Sequence, residues 1–158
     1  YNERENNTHV WYYGLDGEPI DREDIGSALY RKEYDAYDHI IREEYLAHNP
    51  QYNGWLIQTD RKDTGYAAIE SVYEGIHLIE KRYLDAGENL VAPSNIGYAV
   101  CQYEYNFMDQ LTQVRYYDAD MKPVHPTGKK EAIIEYVYDA SGNKIDEISY
   151  DVDGKQIE

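Results

Sequence analysis

Across 158 residues, 31 acidic side chains stand against 15 basic ones, and the net charge of −16 repels nucleic-acid phosphates and the anionic face of a membrane. The apolar runs are too short to span a bilayer and no signal peptide opens the chain, so neither a nucleic acid nor membrane insertion is expected. The one cysteine, Cys101, has no internal partner, no Cys or His cluster has zinc spacing, and 19 tyrosines against one phenylalanine point to half-exposed strands.

From the N-terminus, Tyr1 to Ile20 (YNERENNTHVWYYGLDGEPI) aligns without a gap with Tyr105 to Val124 (YNFMDQLTQVRYYDADMKPV). Tyr1, Asn2, Val10, Tyr12, Tyr13, Asp16, Pro19 and Ile20 match Tyr105, Asn106, Val114, Tyr116, Tyr117, Asp120, Pro123 and Val124. Internal self-similarity of this kind is the signature of a repeat architecture. An opening at Tyr1 without a methionine reads as a processed protein or as a piece of a longer one.

The next frame starts at Gly26 (GSALYRKEY) and recurs at Gly65 (GYAAIESVY), Gly97 (GYAVCQYEY) and Lys130 (KEAIIEYVY), at spacings of 39, 32 and 33 residues. Its third residue is always alanine (Ala28, Ala67, Ala99, Ala132) and its ninth always tyrosine (Tyr34, Tyr73, Tyr105, Tyr138). Alternation with period two, as in Ala99, Cys101, Tyr103 and Tyr105, predicts a strand. Tyr30, Tyr34, Tyr37, Ile41 and Tyr45 fall near helical spacing, but the stretch aligns with hairpins on both sides and is read as strand, turn, strand. An insertion around Asn49 to Thr64 accounts for the longest spacing.

Each first strand runs into a turn, most legible at Asp139-Ala140-Ser141-Gly142-Asn143, where Gly supplies positive φ and Asp and Asn bond nearby backbone. A second strand follows, as in Leu111 to Tyr117 and Ile145 to Tyr150, and ends at another Asp/Gly turn. The expected fold is all-β: one array over 1–158, with units of approximately 1–25, 26–64, 65–96, 97–129 and 130–158. Its tandem β-hairpins form an elongated twisted sheet or a β-solenoid held by nearest-neighbour contacts.

The end of the chain, through Tyr136, Tyr138, Asp139, Gly142, Asn143, Tyr150, Asp151 and Gly154, resembles the YD repeat of bacterial cell-surface proteins, including the Rhs and teneurin-like families. The wider pattern looks like tandem repeats in large secreted or surface proteins of Gram-positive bacteria. The resemblance implies an extracellular or cell-surface location. The segment WYYGLDGEPI from Trp11 also looks similar to aromatic repeats of choline-binding and glucan-binding proteins, but it lacks their regular tryptophans.

No nucleophile motif, phosphate loop or zinc motif is present, so the chain reads as a non-enzyme and no cofactor is expected. Asp118 with Asp120 and Asp151 with Asp153 place carboxylates at a spacing that calcium loops use, although Asp and Gly in a turn need no metal to explain them. His9, His39, His48, His77 and His125 are scattered and read as surface or strand-edge residues. The ninth-position tyrosines are expected in the core between units. Trp11, Tyr13, Tyr52, Trp55 and Tyr117, near turns or the insertion, are the candidates for an outward face. That face would bind cell-wall carbohydrate or another protein, since aromatic rings stack on sugars and pack against proteins. A purely structural spacer is the alternative, and a carbohydrate-active enzyme a more distant one.

Overall fold

The computed structural model describes residues 4–49 and 56–157, and among them there are strands and turns but no helix. The strands are β1 (His9–Trp11), β2 (Leu29–Tyr34), β3 (Ile40–His48), β4 (Leu56–Gln58), β5 (Ala68–Glu74) and β6 (His77–Leu84). They continue as β7 (Val100–Tyr105), β8 (Leu111–Tyr117), β9 (Ile133–Tyr138), β10 (Lys144–Tyr150) and β11 (Gln156–Ile157). All eleven belong to one antiparallel sheet, ordered β1-β2-β3-β5-β6-β7-β8-β9-β10-β11 with β4 added to β3, and the path does not close on itself. The segment with near-helical tyrosine spacing forms β2 and β3, because Tyr30 and Tyr45 come to lie opposite each other across the ladder.

The chain divides into two compact units, Tyr1–Ser71 with Tyr83–Asn89, and Val72–Arg82 with Leu90–Glu158. In the first, alternation along β2 and β3 sends Tyr30 and Tyr45 to one face and Arg31, Arg42 and Glu44 to the other. Tyr30 stacks on Tyr45 at 5.0 Å between centroids, and Tyr66 meets Tyr45 and Tyr83 edge-on at 6.1 and 5.2 Å. The Arg61 guanidinium lies 4.6 Å over the Tyr45 ring. On the opposite face Arg31 and Arg42 both pair with the buried carboxylate of Glu44, and Arg42 also reaches Glu70 at 2.8 Å.

The second unit follows the same division. Lys81, Cys101 and Tyr116 are aligned across β6, β7 and β8, and Tyr103, Val114 and Ile134 across β7, β8 and β9. The other face carries amides and carboxylates: Gln102 donates to Glu80 at 2.6 Å, Gln113 to Glu135 at 2.8 Å, and the Tyr150 hydroxyl to Glu135 at 2.8 Å.

One turn geometry recurs at Asp35–His39, Asp85–Asn89, Asn106–Gln110, Asp118–Lys122, Asp139–Asn143 and Asp151–Lys155. The first residue's N–H donates to the fifth carbonyl at 2.9 to 3.0 Å, and the fourth N–H returns to the first carbonyl. The first side chain's Oδ1 accepts from the third and fifth amides, as Asp139 does from Ser141 at 2.8 Å and Asn143 at 2.9 Å. The fourth residue has φ between 60 and 84°, and four of the six are not glycine. A left-handed residue other than glycine costs roughly 1–3 kcal/mol, and the two side-chain bonds from the Asp or Asn help offset that cost.

The third-position alanines Ala28, Ala67, Ala99 and Ala132 are all fully buried. Each donates its N–H across its hairpin to a carbonyl of the second strand: Leu46, Leu84, Tyr117 and Tyr150, at 2.8 to 2.9 Å. Gly97, two residues before Ala99, has φ 86°, and a Cβ there would lie 2.4 Å from the Thr127 nitrogen. The ninth-position tyrosines are half-buried rather than enclosed. Tyr34, Tyr105 and Tyr138 donate their hydroxyls to the carbonyls of Asn7, Leu78 and Leu111, at 3.0, 3.1 and 2.8 Å.

Replacing Gly97 by alanine combines a left-handed φ with that close approach, so Gly97→Ala is expected to lower stability by roughly 1–3 kcal/mol in urea unfolding. Acid should also destabilise the turns. The Asn89 amide holds the Asp85 carboxyl below its ordinary range, and the Asn143 side chain and amide do the same for Asp139. A depressed folded pKa gives stability that is present above the unfolded value, about 4, and lost as pH falls through the folded value. The urea midpoint should therefore fall below about pH 4. Asp139→Asn, which copies the turn at Asn106, should weaken that dependence, whereas Asp139→Ala should lower the midpoint at every pH.

Candidate functional site

In the first unit, Trp11 on β1 and Tyr13 two residues on share one side of the strand. Their rings stack at 6.2 Å with planes 25° apart, and the residues are 40% and 58% exposed. Between them Tyr12 carries the Arg22 guanidinium 4.9 Å over its ring. Tyr13 is held in an isolated bridge with Pro19. In the second unit, Tyr117 ends β8 opposite Val100, bridges to Pro123 and is half-buried. Tyr52 and Trp55 lie outside the described residues.

The carboxylates considered for calcium have turn roles. Asp118 accepts from the amides of Asp120 and Lys122, and Asp151 from those of Asp153 and Lys155. Asp120 faces the Lys122 ammonium at 3.8 Å. Among the described residues no three His, Cys, Asp or Glu side chains converge as a metal site would require.

A cleft of about 480 Å³ opens in the second unit between the β5–β6 turn and the end of β7. His77 stacks on Tyr105 at 4.3 Å with planes 22° apart, and its Nε2 lies 2.9 Å from the Asp109 carboxylate. Glu74, Glu104 and Asn106 complete the rim. The Tyr105 ring is fixed by its hydroxyl bond to the Leu78 carbonyl, and Asn106 by closing the turn that carries Asp109. Glu104 is drawn towards Arg115 at 3.6 Å. The result is an aromatic plane edged by carboxylates and an amide, which suits stacking and hydrogen bonding to a polar ligand.

No family model matches the chain, and no curated protein is significantly similar to it.

Sequence reasoning placed Tyr105 in the core and His77 at a strand edge, and did not bring the two together. They lie 28 positions apart, and β6–β7 pairing joins them. The only signal was that Tyr105 ends its strand, next to a turn. Beneath the cleft, burial pushes the Tyr103 phenol upward, and burial raises the Cys101 thiol to about 11. The Cys101 thiol is 1% exposed and stays protonated at neutrality, so it has no thiolate to act as a nucleophile. Thiol-specific reagents at pH 8 should leave Cys101 unmodified in the folded chain and label it fully in urea. Rapid labelling of the native chain would contradict the packing described.

Proposed function

We propose that this chain is a non-catalytic region of tandem YD-like hairpin units from a bacterial cell-surface or secreted protein, presenting its outward aromatic rings as a binding surface for cell-wall carbohydrate. The observation that carries the reading is the Trp11–Tyr13 pair, two nearly parallel rings left 40% and 58% exposed on one side of a strand. Two neighbouring rings kept in water offer the apolar stacking surface that an interaction site needs. Sugars offer flat C–H faces that stack on such rings and hydroxyls that bond to nearby carboxylates. The His77–Tyr105 cleft, with Glu74 and Asp109 at its edge, adds a second surface of the same chemistry within the other unit.

The recurring turns and buried alanines support the hairpin-array reading, and the location follows from the YD-like resemblance. A net charge of −16 argues against anionic polymers and nucleic acid as ligands. Among the described residues no helix is long and apolar enough to cross a membrane.

The spacer reading is favoured by a different fact: Tyr30, Tyr45, Tyr66 and Tyr83 are consumed by one another, as a structural role requires. Binding of the purified chain to Gram-positive cell walls and a panel of neutral and amino-sugar oligosaccharides separates the two. Saturable binding with a change in tryptophan fluorescence is expected. Trp11→Ala and Tyr13→Ala should each weaken it about tenfold or more, the cost of losing one aromatic anchor. Absence of binding to every wall and glycan would remove the carbohydrate reading and leave the spacer.

A further inference from the structure

Within the second unit, neighbouring hairpins meet in forks. The β6–β7 ladder joins Glu80, Lys81 and Arg82 to Gln102, Cys101 and Val100, and the β8–β9 ladder joins Gln113, Val114 and Arg115 to Glu135, Ile134 and Ile133. Towards the hairpin tips a side chain spans each fork: Tyr105 donates its hydroxyl to the Leu78 carbonyl, and Tyr138 does the same to that of Leu111. A further contact joins tip to tip. In the β8–β9 fork Gln110 donates to the Gly142 carbonyl at 2.6 Å, and in the β6–β7 fork His77 and Asp109 hold the corresponding places, 33 residues earlier.

That exchange alters the chemistry of the fork. Val137 and Gly142 stand where the β6–β7 fork has Glu104 and Asp109, so the fold closes a fork of this kind without charge. In the β6–β7 fork the stacked His77–Tyr105 pair instead forms the wall of a cleft of about 480 Å³, and Glu74, Glu104 and Asp109 ring it with no lysine or arginine in its lining. Against these three carboxylates stand His77, bonded to Asp109, and Arg115, 3.6 Å from Glu104. The rim therefore keeps a negative charge. The side chains of Glu104 and Asp109 are 60% and 70% exposed, within reach of a ligand.

We infer that this cleft takes a sugar carrying a free, protonated amine, an inference that rests on the carbohydrate-binding reading above and narrows it at this site. The ring pair stacks the C–H face of the sugar, and the ammonium meets the carboxylates of the rim, where a charge-assisted hydrogen bond is stronger than a neutral one. Acetylating the amine removes that charge, and an acidic sugar is repelled. The wall favours a pyranose over a lysine side chain, because two stacked rings fixed by the Tyr105 hydroxyl offer more flat area than an ammonium alone requires.

The probe is a β-1,4-linked glucosamine tetrasaccharide added to the intact, isotope-labelled chain at neutral pH, where the carboxylate rim favours the charged amine. Saturable shifts of the His77, Glu104, Tyr105 and Asp109 amide resonances are expected, with the fully N-acetylated tetrasaccharide about tenfold weaker at the same resonances. Glu74→Gln and Asp109→Asn should each weaken binding about threefold, since both sites are open to water and asparagine tolerates the left-handed φ of Asp109. His77→Gln, which copies Gln110 of the next fork, should weaken it about tenfold by removing one ring of the wall. Equal binding of the acetylated sugar in the cleft, or no effect of the charge-removing variants, would overturn the proposal. Shifts at Trp11 and Tyr13 with none in the cleft would overturn it and leave the carbohydrate reading standing, whereas shifts at neither place would remove both. A short lysine peptide that moves the cleft resonances as strongly as the sugar would also overturn it, assigning the cleft to a protein side chain.

Discussion

A sheet with no helix among its described residues to pack against must hold its strands together with side chains that sit half in water. Among the described residues the largest side chains fully removed from solvent are Val100, Cys101 and Ser27, none of them the size of leucine or phenylalanine. Hydrophobic stabilisation scales with apolar area removed from water, so a thin core draws on many partial burials instead of a few complete ones. Tyrosine suits this constraint, because its ring can pack on a neighbouring strand while its hydroxyl bonds an edge carbonyl. The bonds from Tyr34, Tyr105 and Tyr138, each reaching a carbonyl 27 residues earlier, show one side chain meeting both demands. Phenylalanine would leave that carbonyl to water.

The opposite face solves the same problem with charge. Glu44 is buried and would be costly alone, but two arginines from neighbouring strand positions share it. Gln113 and Glu135, joined in turn to Tyr150, form an equivalent chain of partners in the second unit. The Arg31–Glu44, Gln113–Glu135 and Tyr150–Glu135 links each span adjacent strands, so they fix register as well as satisfying polar groups. A one-residue slip would set Tyr30 opposite Glu44 or Leu46 and Tyr103 opposite Gln113 or Arg115, breaking these pairings.

Much of this was legible in the sequence. The period of two marked the strands that the backbone forms, but the core was expected at the ninth-position tyrosines, which are half-buried, and the enclosed positions are Ala28, Ala67, Ala99 and Ala132. The Asp139 turn was read correctly because its Gly142 and Asn143 are overt signals. The equivalent turns at Asp35, Asp85 and Asn106 carry Asp38, Glu88 and Asp109 at the left-handed position, residues that announce nothing by themselves. At Asp118 and Asp151 the same chemistry could be taken for a calcium loop. A carboxylate accepting two backbone amides and one approaching a cation look alike until the amides are placed. The His77–Tyr105 cleft was beyond reach for a different reason, since the pairing of β6 with β7 brings together residues whose local patterns do not mention each other.

The acidic excess gains a physical role once the edges are considered. An exposed strand edge is a template for uncontrolled pairing, and charge along it is a common defence. On β10 that defence is Asp146 and Glu147, with the Asp146 carboxylate turned back onto the next amide. Two copies of this edge brought together antiparallel would set carboxylates near carboxylates, and a chain of net charge −16 adds a long-range repulsion. On this strand the charge is also a local device, since Asp146 sits at the register shift between β9 and β10 and accepts the Glu147 amide there.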